Sequence, residues 1–144
     1  YTSSVISYNV TSGAATRLQD LISPAVYHGC CFIIDEGFRG VLVAGGDVPD
    51  YAFSGNDFSQ LYDINTGEWS TTGTLTTGRE DGVRLFVIGE QILASGGYSG
   101  GRLSTVDRFN LTSRTWKAAE DMLEAREYHA VTAVPPNAVG IGLD

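Results

Sequence analysis

Two stretches of this chain are near copies of each other, and that repetition constrains the fold more than any single residue. Val41-Leu-Val-Ala-Gly-Gly46 is an apolar run ending in a glycine pair, and Ile92-Leu-Ala-Ser-Gly-Gly97 is another. Each leads to an aromatic residue, a polar turn and a tryptophan, as Tyr62-Asp-Ile-Asn-Thr-Gly67 to Trp69 and Phe109-Asn-Leu-Thr-Ser113 to Trp116. The glycine pairs recur after 51 positions and the tryptophans after 47, the four-residue excess lying in the loop after Gly46. An apolar strand stopping at two glycines, then strand, turn and strand, describes a small antiparallel sheet. Its glycines permit tight turns and close backbone approach, and its aromatics give it bulk to pack.

A further phrase lies between these copies. Leu75-Thr-Thr-Gly-Arg79 matches Met122-Leu-Glu-Ala-Arg126, each an apolar residue four before an arginine that leads an apolar strand. A worn third copy opens the chain. Tyr8-Asn-Val-Thr-Ser-Gly13 parallels Tyr62 to Gly67, with Ala15 in the tryptophan slot, Leu21 in the Leu75 slot and Ala25 in the Arg79 slot. A period near 47 to 54 residues with four short strands in each is the signature of a propeller blade.

Together these phrases resemble kelch repeats across essentially the whole chain. The first repeat departs at Ala15 and Ala25, and the last reaches Gly142-Leu143 where a second glycine is expected. The resemblance implies an all-β fold of kelch-type blades, each of four antiparallel strands. About three blades are present, half of a six-bladed ring. Residues 1–16 are read as the third and fourth strands of a blade and 17–72 as a full blade. Residues 73–119 are a second full blade, and 120–144 the first and second strands of another. Propellers close with roughly 4–8 blades, and an open arc leaves strand edges and apolar blade faces bare. Completion by another chain, or by further residues of a longer propeller, is therefore expected. In either case Ala138–Gly142 should pair with a strand equivalent to Val5–Asn9. The chain opens at Tyr1 rather than methionine, and it is read as processed, excised or incomplete.

Charge narrows the partner. The net charge is −8, the pI is about 4.5 and Lys117 is the only lysine, so a phosphate-backbone ligand or an anionic membrane surface has little to bind. No apolar run approaches the roughly 20 residues of a membrane span. Lys117 to Tyr128 has good helical propensity, yet the repeat alignment makes it a connection, a loop or single turn.

The kelch resemblance places Arg79 and Arg126 near the mouth of a central channel, where arginine forks can hold acidic side chains of a partner. The competing reading is that each arginine binds neighbouring blade carbonyls and only staples the ring. The loop after the first glycine pair carries Asp47, Asp50, Tyr51 and Phe53, and Tyr98 opens its shorter counterpart. Aromatics among small polar residues make recognition surface, so these five join the candidate partner contacts. The aspartates lack the spacing of a calcium loop. His28 and His129 occupy one repeat position, held by Gly82 between them, and are read as core histidines. Kelch-like copper-radical oxidases use histidines, tyrosines and a cysteine joined to one tyrosine. This chain has those residue types without that arrangement.

Cys30 and Cys31 are strand neighbours and point to opposite faces, so a bond between them would be strained. Sequons at Asn9-Val-Thr11 and Asn110-Leu-Thr112 fall on the same turn of their repeats. With so few lysines, they favour a secreted or cell-surface protein, with the cytoplasm as the alternative. The expected function is non-catalytic: a propeller module without a cofactor that binds a protein or glycan partner through its loops. The alternatives are a structural subunit of an extracellular homo-oligomer or filament, and a fragment of a kelch-like copper-radical oxidase.

Overall fold

A computed structural model of the chain describes residues 2–49 and 55–132, and all regular structure among them is antiparallel β. A two-stranded ribbon comes first, β1 (Ile6–Tyr8) and β2 (Ala15–Arg17). Next is a four-stranded sheet of β3 (Gly29–Asp35), β4 (Phe38–Ala44), β5 (Ser59–Asp63) and β6 (Glu68–Thr71). A second such sheet holds β7 (Arg84–Ile88), β8 (Gln91–Ser95), β9 (Val106–Asn110) and β10 (Thr115–Ala118). In each, spatial order follows chain order, so both are meanders. They are two consecutive propeller blades, with β3 and β7 side by side at the inner edge, and β1–β2 is the outer half of a third. Ala138–Gly142 lies outside the described residues, as do Asp50, Tyr51 and Phe53.

The repeat register is visible in the backbone. Leu21, Leu75 and Met122 each donate an N–H at 2.8 Å, to the carbonyls of Ser3, Asp57 and Ser104. Equivalent apolar residues thus pin equivalent connections to their blades.

Strand alternation decides which side chains meet. Ile33, Leu42 and Leu61 face the second blade, and Leu85, Ile92, Ala94, Phe109 and Trp116 face back at them. Trp116 is buried; its ring packs 4.9 Å from Phe109, and its indole donates to Ser59 Oγ of the preceding blade at 2.9 Å. Trp69 plays the same part toward the ribbon, stacking 5.1 Å from Tyr62 and donating to Gln19 O at 3.0 Å. It is only half-buried. Among the described residues no inner strands flank the ribbon, and an apolar groove of about 670 Å³ beside it is lined by Leu18, Leu21, Phe32, Val41, Tyr62 and Trp69.

The glycine pairs are where one connection meets the next. Gly46 donates to Arg79 O at 2.8 Å and Gly97 to Arg126 O at 2.9 Å. A Cβ on Gly96, whose φ is +60°, would lie 2.4 Å from Arg126 O. That leaves no room for a side chain.

Arg79 does not stand at the channel mouth as a fork for partner carboxylates. Its side chain has no exposed surface. The backbone is tied to the first blade through Gly46 and Asn56, while Nη1 donates to Gly96 O and Thr105 O of the second, both at 2.8 Å. Nη2 donates to Asp107 Oδ2 at 3.2 Å, and Asp107 also accepts from the Thr76 backbone and hydroxyl. Burial lowers the guanidinium from its ordinary value while Asp107 pulls it back up, and an arginine stays charged in proteins. The physical reason for the correction is reach: the residue sits between blades, and the carbonyl ends of β8 and the β8–β9 connection lie closer than solvent. Arg126, with no following blade among the described residues, leaves its guanidinium half-exposed and paired only with Glu124.

Four substitutions should separate buried from open positions in a denaturant titration. Trp116→Ala removes a packed indole and should cost roughly 3–5 kcal/mol. Arg79→Leu strands Asp107 and should cost roughly as much. Trp69→Ala should cost visibly less than Trp116→Ala, and Arg126→Leu should stay within about 0.5 kcal/mol of the parent.

Candidate partner-binding site

Three equivalent connections lie at residues 25–28, 79–82 and 126–129, the first two leading into the inner strands β3 and β7. Their third residues are Tyr27, Asp81 and Tyr128. Although drawn from three successive repeats, they touch. The rings of Tyr27 and Tyr128 meet edge to face, centroids 5.8 Å apart and planes at 87°. The Tyr128 hydroxyl donates to Asp81 Oδ1, and Gly82 N donates to Tyr27 O at 3.3 Å. Equivalent residues of successive blades can converge in this way only near the rotation axis, so this is the inner mouth of the arc.

The backbone explains how the tyrosines get there. Tyr27 and Tyr128 both adopt left-handed conformations, with φ of 57° and 50°. Such angles are uncommon for residues other than glycine. The tyrosines are 57% and 52% exposed.

Loops after the glycine pairs end on the same side. Asp47 exchanges two backbone hydrogen bonds with Val26, at 2.8 and 3.0 Å, which sets it beside Tyr27. Tyr98 is half-buried and its carbonyl accepts from Glu80 N at 2.8 Å. Glu80 Oε1 in turn accepts from Gly55 N at 2.8 Å. Of the expected loop contacts, the structure thus brings Asp47 and Tyr98 to the mouth and leaves Arg79 beneath it. Tyr27, Glu80, Asp81 and Tyr128 belong to the same surface, and sequence reasoning missed them.

The mouth is acidic. Partial burial raises the Asp47 carboxyl above its ordinary value, and the neighbouring Asp81 and Glu80 raise it further. The Tyr128 phenol is pushed up to about 12, chiefly by its hydrogen bond to Asp81. Among the described residues no arginine, lysine or histidine forms an ion pair with Asp47, Glu80 or Asp81. The nearby cations are occupied: Arg84 donates to His129 O, and Arg102 pairs with Glu127 at 2.9 Å.

Below the tyrosines, His129 Nε2 lies 2.9 Å from Ser95 Oγ, and the Nδ1 atoms of His28 and His129 are buried without a hydrogen-bond partner. Burial lowers both imidazoles from their ordinary value; Arg84 and Arg126 add to this at His129, while a hydrogen bond to the Ala25 backbone opposes it at His28. Neutral rings result near pH 7. Among the described residues no three histidine, cysteine or acidic side chains cluster closely enough to hold a metal ion. Cys30 and Cys31 are free thiols on opposite faces of β3, and burial with the adjacent Cys30 raises the Cys31 thiol to about 12.

Asn9 and Asn110 are exposed at the opposite end of the blades. Asn9 Oδ1 accepts from Thr11 N and Ser12 N at 2.9 and 3.0 Å, and Asn110 Oδ1 accepts from Ser113 N at 2.8 Å. Asp63 caps the matching turn of the middle repeat, accepting from Asn65 N at 2.8 Å. The asparagines therefore have a local turn-capping role, whether or not they carry sugar.

Known proteins agree with this architecture. Residues 82–123 match the Kelch motif family, a span that starts beside Tyr128 and takes in β7 to β10 whole. Over 84 residues, 58% of this chain, the sequence is 30% identical to Kelch-like protein 21 of Danio rerio, and the match covers 14% of that protein. The solved structure of YjhT superposes with a TM-score of 0.64 at 17% identity, over 86% of this chain and 44% of that one. The chain thus spans a small part of the curated relative and under half of the structural one. A Kelch motif over one complete blade, with the same four phrases repeated in the other, supports a kelch-repeat family for this chain.

Proposed function

We propose that this chain is a non-catalytic propeller segment whose mouth, built from Tyr27, Asp47, Asp81, Tyr98 and Tyr128, holds a protein partner. One observation carries the reading: equivalent residues of three repeats converge into a single exposed surface of aromatic rings and carboxylates. Kelch propeller modules commonly mediate protein interactions. Exposed tyrosines with a polar tip are the side chains that concentrate binding energy in such surfaces.

Peptides selected on the intact chain from an unbiased display library test this. Bound peptide should slow amide exchange in residues 25–29, 79–83 and 126–129. The double variant Tyr27→Asn/Tyr128→Asn should weaken binding at least about tenfold, near 1.4 kcal/mol. Asparagine tolerates the left-handed backbone, so the fold is spared. Protection confined to the turns at Asn9 and Asn110 would move the site to the other end of the blades.

The reading extends to a secreted or cell-surface location, with Asn9 and Asn110 glycosylated. Their exposure on equivalent turns supports it. Made through a eukaryotic secretory route, the chain should lose mass at both positions on enzymatic removal of N-glycans; two unmodified asparagines would contradict this.

A second reading, a structural subunit of a larger assembly, draws on the groove beside the ribbon and on the half-exposed guanidinium of Arg126, which meets only Glu124 among the described residues. Sizing with light scattering should then show a ring of two chains or an open-ended series. A stable single chain at high concentration speaks against it.

A further inference from the structure

Resting on the mouth as the binding surface, the geometry points to the chemistry of its occupant: a cationic side chain, lysine or arginine, of the partner, seated against the Tyr27–Tyr128 pair and facing the carboxylate of Asp81. This reverses the acidic partner expected from the motif arginines.

Three observations converge. First, a T-shaped pair covers one ring face only, and with about half of each tyrosine exposed, ring surface remains open to solvent. An exposed tyrosine face attracts a cation through the ring quadrupole, and a guanidinium can also lie flat on it. Second, the Tyr128 hydroxyl is spent as a donor to Asp81, which fixes that carboxylate at the rim of the aromatic pair. A cation on the ring would meet an acceptor already held in place, with little ordering left to do. Third, the carboxylates at the rim make the charge beside the tyrosines complementary to a cation. Asp47 and Glu80 stand beside Asp81 close enough for both to raise Asp47's affinity for a proton, and no cation among the described residues neutralises the set. The two motif arginines that could have attracted acids are placed otherwise, Arg79 buried between blades and Arg126 turned to Glu124. An acidic side chain entering beside Asp81 would meet three carboxylates, with neither motif arginine there to receive it. A neutral aliphatic one would cover the rings and leave the carboxylates as they were.

The test uses the intact chain and three sets of short degenerate peptides with a fixed central residue: arginine or lysine, norleucine, and glutamate. Binding is read by fluorescence polarisation at low and high salt. The cationic set should bind tightest and weaken several-fold between about 50 and 500 mM salt, as screening requires. Asp81→Asn should reduce binding of that set by roughly tenfold, the scale of a lost charge-assisted contact, and leave the norleucine set unchanged. Asp47→Asn provides a second, more peripheral charge removal should Asp81→Asn disturb the Tyr128 contact, and it should act in the same direction. Tyr27→Asn should weaken the cationic set at every salt concentration. Equal or better binding of the norleucine or glutamate peptides, still dependent on Tyr27 and Tyr128, would overturn the cation and leave the mouth as the binding surface. Binding by no set, or binding indifferent to both tyrosines, would overturn the surface itself.

Discussion

The arc depends on how one buried arginine is shared between two blades. Arg79's backbone belongs to the first blade, through Gly46 and Asn56, and its guanidinium to the second, through Gly96, Thr105 and Asp107. A charge without solvent is tolerable only where carbonyls and a carboxylate surround it. That requirement fixes the distance and angle between sheets more tightly than apolar packing of Leu42, Leu61, Leu85 and Ile92 could, since such contacts are non-directional. Once the angle is fixed, Trp116 reaches Ser59 and the inter-blade core closes around it.

Binding surface and scaffold are joined by the same few residues. Arg79 is followed directly by Glu80 and Asp81, so the connection that staples the blades also delivers two carboxylates to the mouth. In the last repeat the connection from Arg126 delivers Tyr128 instead. The rigid part is thus shared among repeats while the exposed residues differ, as expected where loops carry function on a fixed frame.

Much of the fold is legible in the sequence because its determinants are local or repeated. The glycine pairs mark where backbones nearly touch, the aromatic–turn–tryptophan phrase marks β5–β6 and β9–β10, and the spacing gives the blade. The site is harder. Tyr27 and Tyr128 lie about a hundred positions apart, they have left-handed angles that tyrosine rarely signals, and their meeting with Asp81 needs the blades already arranged about an axis. A usable signal did exist, since all three occupy the second position after the arginine slot. Arg79's burial was legible too, from a neighbour rather than from itself. Gln60 stands in the repeat position of Asp107, and Ala25 in that of Arg79. The junction that lacks the cation also lacks the anion. The amide of Gln60 keeps the remaining bonds, accepting from Ile22 N at 2.8 Å where Asp107 accepts from Thr76 N. Trp69's partial exposure was not legible, because nothing in its own phrase signals that the ribbon it packs against has no inner strands among the described residues.

The placement of the staple bears on how such a chain can change its length. Arg79 closes one unit, and its acceptors, the Gly96 and Thr105 carbonyls and Asp107, lie inside the unit that follows. A segment copied from one arginine to the next therefore brings acceptors for the arginine before it and presents, at its own end, an arginine for whatever comes after. Duplicating the unit that carries Asp107 and ends in Arg126 leaves each new junction chemically matched, whereas a cut between Arg79 and Asp107 separates a buried cation from its anion. The clamp that holds two blades together is also what makes the repeat a viable unit of duplication.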